Sequence, residues 1–261
     1  MREVTIYEKK NHIAFVTMNR PEARNSYNDQ SHGELSTIWK DVRADRNVWA
    51  VVLTGAGREA FCAGRDVKEL SEYQKKGKLV PRYDPEHPNY KVFGHLADYD
   101  INKPVIGAIN GFVVGGGAVF FFGCDMRVMN EDAWIGDLHA AIGQVGGTEL
   151  FAQHMPVAIA SELVYTKHRL DAKRAYELGL VNKVVPYEQV LPEATKLAEA
   201  VCEMSPLAVQ RSKEVMRTTR SIPDGAVRLS KQYAIAMRQT EDGKEGPLAF
   251  KEKRKPQWTG K

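Results

Sequence analysis

Two short apolar runs, VTIYE (4–8) and IAFVTM (13–18), flank the polar KKNH and together predict a β-hairpin. From Asn28 to about Asp45 the pattern LSTIWKDV places apolar residues at helical spacing, with Asn28 or Asp29 as the N-cap. VWAVVLTG (48–55) and PVIGAIN (104–110) are β-branched runs of the kind buried in a parallel sheet. MRVMN (126–130) and AWIG (133–136) predict two further strands, placed after a helix that opens on glycines. Strands alternating with helices imply right-handed crossovers and a layered α/β core.

Beyond residue 146 the pattern turns mostly helical. GTELFAQHM, AIASELVYT and DAKRAYELGL predict helices, VNKVVP a strand, and EQVLPEATKLAEAVCEM, PLAVQRSKEVMRTT and AVRLSKQYAIAMRQT three longer helices. No internal repeat interrupts this order. The segment 71–90 is polar and broken by prolines, a composition that in a loop of that length points to mobility or to function.

Composition changes this picture little. Apolar residues make up 43% of the 261 positions and charged residues 27%, as in an ordinary soluble protein. The formal charge of +4 is mild, and the basic residues are scattered until KEKRK (251–255), which argues against a nucleic-acid surface. Cys62, Cys124 and Cys202 form no CxxC pair, so buried reduced thiols are expected rather than a disulfide framework or a zinc site. The start MREVTIYEKK lacks an apolar signal core, and the longest apolar stretch is interrupted by Asn110 and six glycines. A soluble, cytoplasmic protein without a membrane partner is expected.

One stretch does not fit a purely structural reading. NGFVVGGGAVFFFGCDM (110–126) puts three glycines at the mouth of an apolar helix, although each glycine costs about 1 kcal/mol of helix propensity against alanine. Together with NRPEARNS (19–26), AFCAGRDVKEL (60–70), KPVIGAINGFVVGGG (103–117), DAKRAYELGLVNKVVP (171–186) and AFKEKRKPQW (249–258), it resembles the crotonase superfamily, the enoyl-CoA hydratase/isomerase group. The similarity covers almost the whole chain. It implies an α/β spiral of ββα repeats over residues 1–200 and a helical region over 201–261 that trimerises, often as a dimer of trimers. It also implies an acyl-CoA substrate, with coenzyme A arriving as part of the substrate and no separate cofactor or metal.

By the same resemblance, the main-chain N–H groups of Arg65 and Gly116 form an oxyanion hole for an enolate-like thioester oxygen. Glycine allows a ligand to approach the main chain closely, and the start of a helix adds partial positive charge there. The family's hydratases also use two glutamates. One falls three residues after the oxyanion glycine, where this chain has Val119. The other falls in a strand-end pattern ahead of a Gly-Gly-Thr helix start. Matching the glycine of GDLHAAIG (136–143) places His139 in that slot and shortens the following loop by about three residues; an ungapped match backwards from Gly-Gly-Thr places Gly136 there, beside Asp137. Imidazole takes and returns protons near neutrality, and Asp137 two residues away is positioned to orient it or to act itself.

Glu149 is expected at a helix start in a capping role, and His95 on a helix in a packing role. Tyr83 and Tyr90 belong to the loop over the acyl group. For coenzyme A the resemblance names the main chain near Ala63, with Arg24 and Lys68 toward the phosphates, and Phe250 and Lys253 reaching the ligand of a neighbouring subunit. Three functions follow as expectations: hydration, dehydration or double-bond isomerisation of an unusual enoyl-CoA; retro-Claisen hydrolysis of a cyclic β-keto substrate; or a silent family member that only binds.

Overall fold

A computed structural model describes residues 3–76, 78, 94–96, 99–219 and 224–260. Tyr83 and Tyr90 lie outside the described residues. Ten strands are seen among them: β1 Thr5–Lys10, β2 Ile13–Met18, β3 Ala50–Gly55, β4 Ala60–Cys62, β5 Val105–Ile109, β6 Phe112–Val114, β7 Met126–Asn130, β8 Trp134–Gly136, β9 Leu170–Asp171 and β10 Lys183–Val185. The helices are α1 Asp29–Ala44, α2 Val67–Lys75, α3 Ala118–Gly123, α4 Thr148–His154, α5 Val157–Tyr165, α6 Ala172–Glu177, α7 Tyr187–Cys202, α8 Pro206–Thr219, α9 Asp224–Met237 and α10 Glu241–Glu252.

The strands form two sheets. The larger runs β1-β2-β3-β5-β7-β10, and apart from the antiparallel β1–β2 hairpin all its pairs are parallel. The smaller runs β4-β6-β8-β9, with β4, β6 and β8 parallel. Both faces of the larger sheet are covered at its centre, which is why β3 and β5 read as unbroken apolar runs rather than alternating ones. On one face Ile13, Val52, Ile106 and Val128 pack with Val190, Ala194 and Ala198 of α7. On the other, Leu53 and Ile109 join Trp39, Phe61, Phe120, Phe121 and Phe151 in a single apolar cluster.

Local chemistry fixes the element ends. The Asn28 side chain caps α1 by accepting from the Ser31 N–H at 2.9 Å. Helix α8 is tied back to the sheet by Lys213, whose Nζ donates to Asp125 at 2.7 Å and to the Lys103 carbonyl at 2.9 Å. The main departure from the sequence reading is α10. Its sequence EDGKEGPLAFKE contains two glycines and a proline, against helical propensity, yet Thr240 caps it by accepting from the Gly243 N–H at 2.9 Å. The glycines are explained by packing. Side chains at Gly243 and Gly246 would run into Met237 and Ile142, so α10 lies closely against the turn that follows His139. A second departure is His95, which lies in an irregular stretch rather than on a helix and is buried.

Candidate active site

The three segments singled out in the sequence leave the same edge of the smaller sheet. β4 runs into Ala63–Gly64–Arg65, β6 into Gly115–Gly117, and β8 into Asp137–His139. The carboxyl ends of these three parallel strands therefore converge, the position at which parallel sheets commonly hold ligands.

The first segment is sewn to residues 24–27. Ala63 N donates to the Arg24 carbonyl at 3.0 Å, Tyr27 N to Gly64 at 2.9 Å and Asp66 N to Tyr27 at 2.9 Å, with Tyr27 and Arg65 paired as an isolated parallel bridge. Asp66 anchors the loop through Arg20 at 2.7 Å; burial raises its carboxyl, but the Arg20 guanidinium and the loop N–H groups outweigh this and hold it below the usual range. Gly64 has φ +88°, and a Cβ there would lie 2.9 Å from Gly116 N. A left-handed backbone and this close approach both demand glycine, and they bring the Arg65 peptide beside the Gly116 peptide.

The Arg65 side chain is occupied elsewhere. It pairs with Asp29 and, at 2.7 Å, with Glu69, and Tyr73 donates its hydroxyl to the second oxygen of Asp29. Burial pushes Glu69 up, whereas for Asp29 the Tyr73 and Arg65 hydrogen bonds outweigh burial and hold the carboxyl down. Cys62, at the end of β4, is fully buried and its thiol is pushed up to about 12, so it is inert at neutral pH.

Gly115–Gly117 form a 3-10 turn that leads into α3. Each glycine has a close neighbour. A Cβ at Gly117 would strike the Cys62 carbonyl, one at Gly116 would strike the Tyr27 hydroxyl, and one at Gly115 would touch the His139 ring at 3.5 Å. Val119 is half-buried in the first turn of α3, so that position offers no titratable group.

His139 and Asp137 stand together. His139 Nδ1 lies 2.6 Å from Asp137 Oδ1. An ionised carboxylate can only accept, so this contact assigns a hydrogen to Nδ1, and in the neutral imidazole Nε2 then carries the lone pair. Asp137 is 2% exposed, and its Oδ2 is buried without a hydrogen-bond partner among the described residues. The His139 ring packs between Gly115 and Gly146, where a Cβ would come within 3.0 Å of Nε2. Behind it, the 3-10 turn Ala140–Ile142 is held by α10 through Gln144, whose side chain donates to the Gly243 carbonyl at 3.0 Å.

The side chains of the other expected residues are placed as follows. Arg24 is in the left-handed region at φ 54° and is paired with Glu59 at 2.8 Å on an exposed surface. Lys68 is exposed in the first turn of α2, Phe250 is exposed on α10, and Lys253 caps α10 at φ 55°. Glu149 sits in the first turn of α4, but that helix has no side-chain cap hydrogen bond, and Glu149 Oε2 is buried without a hydrogen-bond partner among the described residues. His95 packs edge-on against Tyr27 and Phe120, at centroid distances of 5.4 and 5.5 Å. Tyr27 is the residue the sequence reading passed over. Its only sequence signal is its place directly after the NRPEARNS motif. Among the described residues no helix is long and apolar enough to cross a membrane.

Comparison with known proteins adds the following. The family model for enoyl-CoA hydratase/isomerase matches residues 8–261. The chain is 34% identical to an (E)-benzylidenesuccinyl-CoA hydratase of Thauera aromatica, over 97% of this chain and 98% of the relative. It is 34% identical to a short-chain-enoyl-CoA hydratase of Clostridium acetobutylicum, over 96% and 95% of the two chains. A crystal structure of a carnitinyl-CoA hydratase from Mycobacterium avium superposes with a TM-score of 0.87 at 34% identity, covering both chains fully.

Proposed function

The chain belongs to the enoyl-CoA hydratase/isomerase family, and we propose that it adds water to, removes water from, or shifts the double bond of an unusual enoyl-CoA with a single imidazole as its proton carrier. One observation supports this reading above the others. His139, backed by Asp137 at 2.6 Å, stands against the same glycine turn that presents the Gly116 peptide.

In the hydration direction His139 Nε2 takes a proton from water as the water oxygen bonds to Cβ of the substrate. The electrons of the Cα–Cβ double bond move onto the thioester oxygen, where the N–H groups of Arg65 and Gly116 receive the charge. The enolate then collapses, and Cα takes the proton back from His139. Dehydration is the reverse. In isomerisation the same imidazole removes a proton from one carbon and returns it to another. Oxyanion donors of this kind are worth about 10²–10³ in rate each, and a placed acid–base group about 10²–10⁴.

Because Val119 leaves only one acid–base centre, the substrate is expected to differ from a straight-chain crotonyl thioester. A relative named for benzylidenesuccinyl-CoA supports a cyclic or aromatic-derived acyl group as the candidate, and relatives named for carnitinyl-CoA support an acyl group other than a plain short chain. A second reading, retro-Claisen opening of a cyclic β-keto thioester, draws on the His139–Asp137 pair, an arrangement suited to activating water. For coenzyme A the reading assigns the main chain at Ala63, with Lys68 and Arg24 near the phosphates; Arg24 would have to leave or share Glu59. Phe250 and Lys253 would reach the ligand of a neighbouring subunit in a trimer or dimer of trimers.

The test is a panel of linear, aromatic and alicyclic enoyl-CoAs assayed for water addition, isomerisation and ring cleavage. Slow turnover of crotonyl-CoA and faster turnover of a bulkier enoyl-CoA are expected. Rapid hydration of crotonyl-CoA would mean that the acid–base group has been misassigned.

A further inference from the structure

We infer that the Tyr27 hydroxyl is a third hydrogen-bond donor to the thioester oxygen, beside the main-chain N–H groups of Arg65 and Gly116; this rests on the oxyanion reading above. The Tyr27 side chain stands beside both of those residues. Its main chain pairs with Arg65 as a parallel bridge, and its N–H is fixed to the Gly64 carbonyl at 2.9 Å. Its hydroxyl lies against Gly116 so closely that no Cβ fits between them. The glycine turn is thus flanked by two polar side chains, the imidazole of His139 at Gly115 and the phenol of Tyr27 at Gly116.

The ring is held from several sides. His32, His95 and Phe120 meet it edge-on at 5.0, 5.4 and 5.5 Å, and the Arg65 guanidinium lies 6.0 Å from its centroid. Tyr27 is 7% exposed, so its hydroxyl cannot swing into solvent. An aromatic body clamped by neighbours with a hydroxyl at its tip is a rigid way to present one donor. A donor fixed before the charge develops, in a site shielded from water, stabilises the charged oxygen more than the neutral carbonyl. Tyr27 would then help to spread the enolate charge, leaving proton transfer to His139.

The experiment is calorimetric titration of the wild-type protein and of Tyr27→Phe with two probes, coenzyme A itself and acetoacetyl-CoA. The enolate of the second carries negative charge on the oxygen that docks at the glycine turn. Phenylalanine keeps the ring packing and removes only the hydroxyl. The expected result is unchanged affinity for coenzyme A, an unchanged melting temperature and about tenfold weaker binding of acetoacetyl-CoA, the loss of one hydrogen bond to a charged group. Equal affinity of both proteins for acetoacetyl-CoA would overturn the inference. So would an equal loss on both probes, which would make Tyr27 a packing residue. If the wild-type protein itself binds acetoacetyl-CoA no more tightly than coenzyme A, the oxyanion reading fails and takes this inference with it.

Discussion

In the larger sheet β3 and β5 are almost wholly buried, with α7 on one face and the aromatic cluster on the other. In the smaller sheet β4, β6 and β8 are only three residues long, and each breaks off at its carboxyl end into a segment of the candidate site. The first region depends on side-chain volume, and its sequence is full of β-branched residues. The second depends on peptide groups brought into contact, and its sequence is full of glycines at places where a single methyl group would collide. The smaller sheet shares the core through Phe61, Val113 and Ile135, but only its carboxyl edge carries the candidate site, so the interior of the larger sheet and that edge should respond to different kinds of substitution.

The sharpest expected contrast is at His139. Replacing it with alanine should lower turnover of the productive acyl-CoA by about 10²–10⁴ with KM little changed, because the lost group acts in proton transfer and not in thioester binding. Steady-state kinetics with a parallel melting curve checks this; a variant slowed less than tenfold would remove His139 from the chemistry. Gly116→Val comes next. Its branches would enter the space held by the Tyr27 hydroxyl, displacing the turn and costing about 10²–10³ in rate. Circular dichroism should still report a folded protein, and near-wild-type activity would argue against an oxyanion role for this turn.

The larger sheet should behave in the opposite way. Ile106 is fully buried against α7, so Ile106→Ala should destabilise the fold by about 2–5 kcal/mol in denaturant unfolding and leave kcat of the folded fraction unchanged. A loss of kcat at full folding would break the division between the two regions. Asp137→Asn is expected to lower kcat less than His139→Ala does if Asp137 only orients the imidazole. If that variant is inactive while His139→Ala still turns over, Asp137 is the proton carrier.

How much of this was legible in the sequence follows the same division. The hairpin, α1, β3, β5, β7 and β8 are long enough, or apolar enough, for periodicity and β-branched runs to mark them. β4 and β6 are too short to show a period, and they matter most to the site. Helix α10 runs against its own composition; Gly243 is explained by the nearby end of α9 at Met237, and Gly246 by packing on the turn after His139, a contact that joins segments far apart in the chain. The glycine triplet was readable because it runs against helix propensity, and the close neighbours of Gly116 and Gly117 account for its cost. His139 emerged only through the family resemblance with a shortened loop, since a single histidine has no period and no spacing partner. The structure shows the contact with Asp137 that the two-residue spacing suggested. Tyr27 left no mark because its contact with Gly116 depends on how two distant turns meet. The Glu59 partner of Arg24 was hidden for the same reason.

The central claim is that the carboxyl edge of β4, β6 and β8 binds a thioester oxygen through main-chain groups and sets it beside His139. A crystal structure of His139→Gln with a non-turned-over enoyl-CoA tests it most directly. The expected complex has the thioester oxygen about 2.7–3.1 Å from the amide nitrogens of both Arg65 and Gly116, with the double bond facing residue 139. A thioester oxygen bound away from these two peptides, or an acyl chain directed away from residue 139, would contradict the account.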